Sequence, residues 1–543
     1  MWEDSTDEGG IMPQDEQQVG QTRLSLSQSL CSRVGILLAG AILLGAIIRI
    51  LLVLNASVWY DEAVSIYYAQ QPLYALPSFL ARDMGEPLFF TLLHGWMRLF
   101  GNGERATAML PFLFSVANLY AIFLFGRKMF GDRVGLLSAL LLSANTMALH
   151  NATNVRFYAL VDLVVTLSNL AFFASMENRK ATKYFIVISV VGFYTHTYYY
   201  FVCFAQVVVM LLFYRPVVRR MVLPGIFVGL AYAPWFFSVF LKQLTANMGD
   251  VTLRVFAPLD ALLTFGQSIW TKVVPLSFMA LPGSILALCA IVGFLAYRLG
   301  QVLSHHPAKE ETRRLTILLA LYEIAIGSPI FISMFKPIYL ANRYDVIGLS
   351  TLLVAVAFGI HKGLTIVRRP WVTVAVCVMI LVLSLPYVRW RLTDKLDGDR
   401  TAIQALRAEF SPDDVVLFAG YSSMASQYYM NQYRMRPKGI VYFPLELSPT
   451  SPIFWSLRYK GKEAQLAQDA ETLVNKVLAL NPRRVVFFDA LAANGLACMK
   501  EALDRRLTPY KEIKARQHPW GPLYEGIILY EGRPDAGNRF DLR

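Results

Sequence analysis

Between residues 34 and 387 the chain is a series of apolar runs separated by short polar loops, and positive charge is shared unevenly among those loops. The runs are 34–54, 106–125, 134–149, 157–175, 184–194, 198–213, 221–241, 276–297, 315–335, 346–360 and 372–387. A helix needs about 20 apolar residues to cross a bilayer, so the pattern predicts about eleven spans, some of them short. If Arg23 and Arg33 are cytoplasmic, alternate passes bring three basic loops to the same side: Arg127, Lys128 and Arg133; Arg179, Lys180 and Lys183; Arg215, Arg219 and Arg220. The stretch 298–314 and the loop with Lys362, Arg368 and Arg369 follow them. This is the asymmetry that the positive-inside rule demands. It holds only if 88–100 does not cross, and with His94, Trp96 and Arg98 that segment suits a helix lying in the interface.

The fold class is therefore a polytopic α-helical membrane protein. Only 16% of residues are charged and 55% are hydrophobic, whereas a soluble domain carries about a quarter charged residues. The net charge of +13 is accounted for by the basic loops, so nucleic acid is not an expected partner. Cys31, Cys203, Cys289, Cys377 and Cys498 show neither metal-ligand spacing nor a disulfide framework. Residues 1–33 are polar and lack periodicity, which predicts a disordered cytoplasmic tail. The first apolar run has no cleavage pattern and reads as a retained span.

Beyond Arg389 the texture changes. Helical patterns over 401–410, 422–432, 463–480 and 491–506 alternate with strand patterns over 414–419, 484–489 and 523–530. This predicts a small extracytoplasmic α/β domain, residues 390–543, with a mostly parallel sheet. It lacks G-x-G-x-x-G, so no nucleotide cofactor is expected.

On this layout the polar residues hardest to explain by packing fall on the extracytoplasmic side. They are Asp61, Glu62 and Glu86 in the first outside loop, 55–105, then Asn154, Arg156, Asp162, His196, Lys336, Arg343 and Tyr344. Ionisable groups in or beside spans are costly and mark function, so their convergence points to a shared cavity. Asp61 reads as a general base or as the N-cap of a helix starting at Glu62. Asp162 lies about 9 Å into its span if Arg156 marks the rim. It shares a helical face with Asn154 and Tyr158, and reads as a catalytic acid or as a hydrogen-bond partner of a neighbouring helix. Glu86 and His196 are candidates for holding a divalent cation through oxygen and nitrogen, with interfacial anchoring the alternative for His196. Arg156, Lys336 and Arg343, with Tyr344 beside the last, suit an anionic phosphate. Snorkelling to the interface is the other explanation of these cations.

Taken in order, Asp61-Glu62, Gly85-Glu86-Pro87-Leu88-Phe89-Phe90, the run from Arg105 to Pro111, Gly126-Arg127-Lys128-Met129-Phe130-Gly131, Arg156-Phe157-Tyr158-Ala159-Leu160, Tyr194-Thr195-His196 and Arg343-Tyr344 form a series. It resembles the GT-C membrane glycosyltransferases, in the protein O-mannosyltransferase and aminoarabinose (lipid A) transferase-like branch, and covers 34–348. The resemblance implies a transmembrane catalytic domain, 34–389, in the plasma (inner) membrane. It implies a polyprenyl-phosphate sugar donor, an extracytoplasmic lipid, glycan or protein acceptor, and no nucleotide sugar. It maps the first-loop acid onto Asp61 with Glu62 beside it, the acid before proline onto Glu86, and a second acid onto Asp162. Where many relatives carry Glu two residues before the Arg of the R-x-Y motif, this chain has Asn154, which shifts weight to Asp162. Because the donor already has a phosphate leaving group, one carboxylate acting at the sugar carbon implies direct displacement with inversion. A transporter or flippase of lipid-linked sugars is the competing class, but the chain shows no internal repeat of the kind such proteins are built from.

The orientation is directly testable. Cysteines introduced at Asp83 and Lys462 in a cysteine-free background are expected to react with an impermeant thiol reagent in intact cells; protection of both would invert the layout.

Overall fold

The computed structural model describes residues 33–81, 85–242, 255–273, 310–341, 343–393, 398–420, 423–444, 461–489, 497–514 and 526–532, with parts of a helix at 282–290. The membrane part contains α1 (Arg33–Leu54), α2 (Tyr60–Gln70), α3 (Pro87–Phe100), α4 (Glu104–Phe130), α5 (Asp132–Ala144), α6 (Thr146–Asn151) and α7 (Tyr158–Glu177). It continues through α8 (Thr182–Thr195), α9 (Tyr199–Phe213), α10 (Val218–Trp235), α11 (Pro258–Val273), α12 (Glu310–Ile332), α13 (Leu349–Val367) and α14 (Pro370–Thr393).

Among the described residues, seven helices are long and apolar enough to cross a membrane: Arg33–Leu54, Glu104–Phe130, Tyr158–Glu177, Arg215–Phe240, Glu310–Ile332, Tyr344–Val367 and Pro370–Thr393. Of the other expected passes, α8 and α9 have 14 and 15 residues. The run 134–149 is not one helix. Its chain breaks at Asn145, whose side chain accepts the Ala148 N–H at 3.1 Å and so caps α6 as a new start. The expected pass 276–297 lies almost wholly outside the described residues. Helix α3, with 14 residues, is about 21 Å long, shorter than the roughly 30 Å hydrocarbon core. It starts at Pro87, stops at Gly101 with φ +82°, and buries Phe89, Phe90 and Leu93.

At one end of the bundle, basic side chains close the carboxyl ends of neighbouring helices. Arg314 donates to the carbonyl of Met129 at 3.0 Å, Arg313 to that of Phe213 at 3.2 Å, and Arg220 to that of Ser175. A helix leaves its last carbonyls without partners, and a cation there also meets the negative end of the helix dipole. The loops carrying Asp61, Arg156, His196 and Arg343 emerge at the opposite end.

The interior is tied by polar groups. Arg49, fully buried in α1, donates to Ser115 at 2.8 Å and to the carbonyls of Leu142 and Ser143 at 3.0 Å. Ser350 of α13 donates to Asp162 of α7 at 2.8 Å, and Asn169 of α7 donates to Thr351 at 3.0 Å. Helices also touch closely where side chains vanish: a Cβ on Gly135 would lie 2.6 Å from the Phe123 carbonyl, the small-residue contact that lets helices pack in lipid. Lys272 of α11 and Asp345 form an ion pair at 2.8 Å with side chains 1% and 0% exposed, and Lys272 also donates to the carbonyl of Ser268 at 2.6 Å.

The C-terminal part contains α15 (Gly398–Arg407), β1 (Val415–Ala419), α16 (Ser423–Gln432), β2 (Gly439–Phe443), α17 (Glu463–Ala479), β3 (Val485–Asp489), α18 (Ala497–Arg506), β4 (Leu507–Lys514) and β5 (Gly526–Gly532). The α/β expectation holds, but the sheet is mixed rather than mostly parallel. Its order is β2-β1-β3-β5-β4, with β1 parallel to β2 and β3, and β5 antiparallel to β3 and β4. The reason is local: α18 runs straight into β4, and β4 pairs with the next strand, β5, so no crossover helix returns the chain in parallel. The strands that the sequence pattern omits, β2 and β4, are the two edges.

Removing one partner of a buried ion pair leaves the other charge uncompensated, at a cost of about 3–5 kcal/mol. Lys272→Met is therefore expected to lower the melting temperature in detergent sharply, and Lys272→Met with Asp345→Leu to recover much of the loss. A single variant as stable as the parent would show that the pair contributes nothing.

Candidate active site

The site begins with the start of α2. Trp59 is extended at the N-cap, with φ −102° and ψ −179°, so Asp61 is the second and Glu62 the third residue of the helix. Glu62 turns inward. Its Oε2 accepts the Trp59 N–H at 3.0 Å and its Oε1 accepts the Val155 N–H at 2.8 Å. The first bond is the carboxylate half of a capping box; the second joins two loops distant in sequence. Both oxygens are thus engaged by backbone and the side chain is buried, so Glu62 ties the two loops together. Burial pushes its carboxyl up to about 7, against the opposing effect of those two amides.

Asp61, about 100° around the helix from Glu62, faces the other way. Capping is done by Glu62, which leaves the Asp61 carboxylate for other work. Its Oδ2 accepts from Arg343 Nη2 at 2.5 Å, and the two side chains are 18% and 30% exposed. Arg343 Nε donates to the Tyr158 hydroxyl at 2.6 Å. Arg156, on the turn before α7 as expected, reaches the Asp61 carbonyl at 3.4 Å and Ser65 Oγ at 3.3 Å and lies over the Phe157 ring. Tyr344 packs against Tyr198, the ring centroids 4.7 Å apart and the planes tilted by 31°, and its ring centroid lies 5.9 Å from that of His196. Asp61, Arg156, Tyr158, Arg343 and Tyr344 therefore lie together, with Asp61 and Arg343 partly exposed and Arg156 and Tyr158 buried behind them.

The other expected residues are placed differently. Asp162 is bonded to Ser350 one turn below Tyr158, with Arg49 as the nearby compensating charge, so its geometry is that of an interhelical tie. Lys336 is exposed and forms no ion pair among the described residues. His196 accepts the Tyr198 N–H on Nδ1 at 2.9 Å, which puts the proton of the neutral ring on Nε2. Burial, with Arg156 and Arg343 adding to it, pushes His196 down to about 3. Glu86 Oε1 accepts from Tyr232 at 3.1 Å and from Thr197 at 3.3 Å. With one His nitrogen accepting an amide proton and the other carrying its own, and with no cluster of three ligating side chains among the described residues, the Glu86 and His196 pair does not fit a divalent cation.

Two features escaped the sequence pattern. Arg49 is a charge inside the first apolar run, a signal that intramembrane ionisable residues are functional or paired. Lys272 and Asp345 carried no legible signal, because nothing in either stretch says that they meet.

Residues 85–242 match the family model described as dolichyl-phosphate-mannose-protein mannosyltransferase. The structure resembles ArnT from Cupriavidus metallidurans in the apo state, with a TM-score of 0.58 and 12% identity over 90% of this chain and 98% of that one. It resembles the same protein bound to undecaprenyl phosphate with a TM-score of 0.55 and 13% identity over 91% and 97%. No curated protein sequence matches the chain. The expected resemblance is borne out: the chain has the fold of the GT-C membrane glycosyltransferases.

Glu86 supplies a pH test. Burial pushes its carboxyl from 4.5 up to about 7, against the opposing effect of its hydroxyl donors Tyr232 and Thr197. Folding thus favours the protonated acid, and the stabilisation is complete below pH 4.5 and lost as the pH rises through about 7. The melting temperature is expected to decline across that window, and Glu86→Gln to flatten part of the decline; identical slopes for the two proteins would contradict it.

Proposed function

We propose that this chain is a membrane glycosyltransferase that moves a sugar from a polyprenyl-phosphate donor to a nucleophilic hydroxyl or amine on the extracytoplasmic side of the plasma (inner) membrane. The observation that carries the reading is the partly exposed Asp61–Arg343 pair at 2.5 Å: a base and a phosphate-binding cation side by side. The mannosyltransferase family description names a dolichyl-phosphate sugar, and the ArnT structure holds undecaprenyl phosphate. Both support a lipid-phosphate donor here.

In the proposed reaction the acceptor oxygen or nitrogen attacks the anomeric carbon and gives its proton to Asp61. The bond from that carbon to the phosphate oxygen breaks, and the polyprenyl phosphate leaves with the electron pair. Arg343 holds Asp61 through Nη2 and Tyr158 through Nε, which leaves Nη1 to meet the phosphate as a charge-assisted donor, with Arg156 adding positive charge from the adjoining turn. Glu62 is occupied by two backbone amides and Asp162 by Ser350. One acting carboxylate supports direct displacement with inversion over a covalent intermediate. A flippase would move the same donor across the bilayer without consuming it, which is how the two readings separate.

Purified protein in liposomes is given radiolabelled undecaprenyl-phosphate-mannose and extracted cell-envelope acceptor, and loss of donor is followed. Asp61→Asn is expected to slow the loss by on the order of 100-fold or more while the protein still folds with a modestly lower melting temperature, since Glu62 and not Asp61 caps the helix and only the partly exposed pair with Arg343 is lost. A folded Asp61→Asn protein that consumes donor at the parental rate would remove Asp61 as the base. Transbilayer movement of intact donor, with none consumed, would favour the flippase.

A further inference from the structure

The C-terminal domain touches the membrane domain at a specific place. Tyr429 of α16 is buried, and its hydroxyl accepts the Val58 N–H at 2.7 Å while donating to Glu104 Oε1 at 2.5 Å. Glu104, the first residue of α4, is fixed in turn by Arg400 of α15 at 2.9 Å. Next to it, the Tyr428 hydroxyl donates to the Asn102 carbonyl at 2.9 Å. Where α14 leads toward the domain, Arg391 donates to Thr153 Oγ1 at 2.9 Å, bracing the loop whose Val155 N–H is held by Glu62.

Val58 is three residues before Asp61. Its amide and the next, that of Trp59, are fixed by different parts of the molecule: one by the C-terminal domain, the other by Glu62. A surface that only docks two domains has no need to bond a backbone amide of the loop bearing the proposed base. Nor does it need an ion-paired carboxylate behind the hydroxyl to orient it. The hydroxyl is directed by Glu104 so that its lone pair, not its proton, faces Val58.

We infer that the C-terminal domain holds the Asp61 loop in its working position through the Tyr429 hydroxyl, which makes Tyr429 a positioning residue of the transfer reaction. The inference rests on the reading of Asp61 as the base, and the experiment separates the two.

Tyr429→Phe deletes one oxygen and keeps the ring. In the full-length protein, hydrogen exchange of a peptide covering 55–62 is expected to quicken about tenfold, corresponding to one lost hydrogen bond, with exchange in α7 unchanged. In the liposome assay with undecaprenyl-phosphate-mannose, kcat is expected to fall about tenfold with KM for that donor unchanged. In an Asp61→Asn background the same substitution is expected to add nothing further, because the two act through one group. Unchanged exchange would overturn the pin. Faster exchange with a parental kcat, or fully additive losses in the double variant, would reduce Tyr429 to a docking contact. An Asp61→Asn protein at the parental rate would defeat the base reading instead, and the exchange result, which needs no sugar donor, still decides whether the domain pins the loop. Should Tyr429→Phe fail to fold, Arg400→Gln, which frees the Glu104 carboxylate behind the hydroxyl, is expected to give the same exchange and kcat pattern more weakly; parental behaviour in both measurements would overturn the inference.

Discussion

Glu62 bonds two backbone amides, Trp59 on its own helix start and Val155 from a loop 93 residues further along, and the site is built across that bridge. On one side of it stand α2 and Asp61; on the other stand Arg156 and Tyr158. A buried carboxylate is costly unless its oxygens are satisfied, and here the satisfaction comes from amides that have no helical partner of their own. The same bonds therefore start a helix, close a gap between distant segments and aim the neighbouring aspartate outward.

The cationic side of the site has its own support. Arg343 lies two residues before Asp345, whose carboxylate is buried against Lys272, and Tyr344 between them packs against Tyr198. The loop is thus fixed from below by an ion pair and from the side by a ring, while its guanidinium is left to choose among Asp61, Tyr158 and whatever enters. Buried ion pairs add little net stability compared with apolar packing; this one fixes where a loop sits. Asp61 stands in the first turn of α2 and Arg343 on the connection before α13, and each is fastened to the bundle by a buried charge beside it.

Much of this was legible in the sequence. Run lengths and the distribution of Lys and Arg were enough for a helical membrane domain followed by an α/β domain, and several of the unusual acids and cations do gather at one end of the bundle. Which of two adjacent acids turns inward was not legible, because it depends on the helix starting at Tyr60 rather than at Glu62, a shift of two residues. The fate of Asp162 was open for a similar reason: a polar residue at helical spacing from the rim looks the same whether it meets a ligand or Ser350. Edge strands β2 and β4 were missed because an edge is half exposed, and Lys511, Glu512 and Lys514 break the apolar signal in β4. Contacts such as Val58 to Tyr429, separated by 371 positions, leave no trace in local pattern at all.

The arginines at the other end of the bundle fasten helices other than their own. By general rule, basic loops bias which way a chain enters the bilayer, and here Arg220, Arg313 and Arg314 also close the carboxyl ends of α7, α9 and α4. In each case the arginine comes later in the chain than the helix it closes. The last carbonyls of the earlier helices therefore depend for their partners on segments that follow them in the chain. Neutralising one of these side chains therefore unfastens the carboxyl end of a helix that stands earlier in the chain.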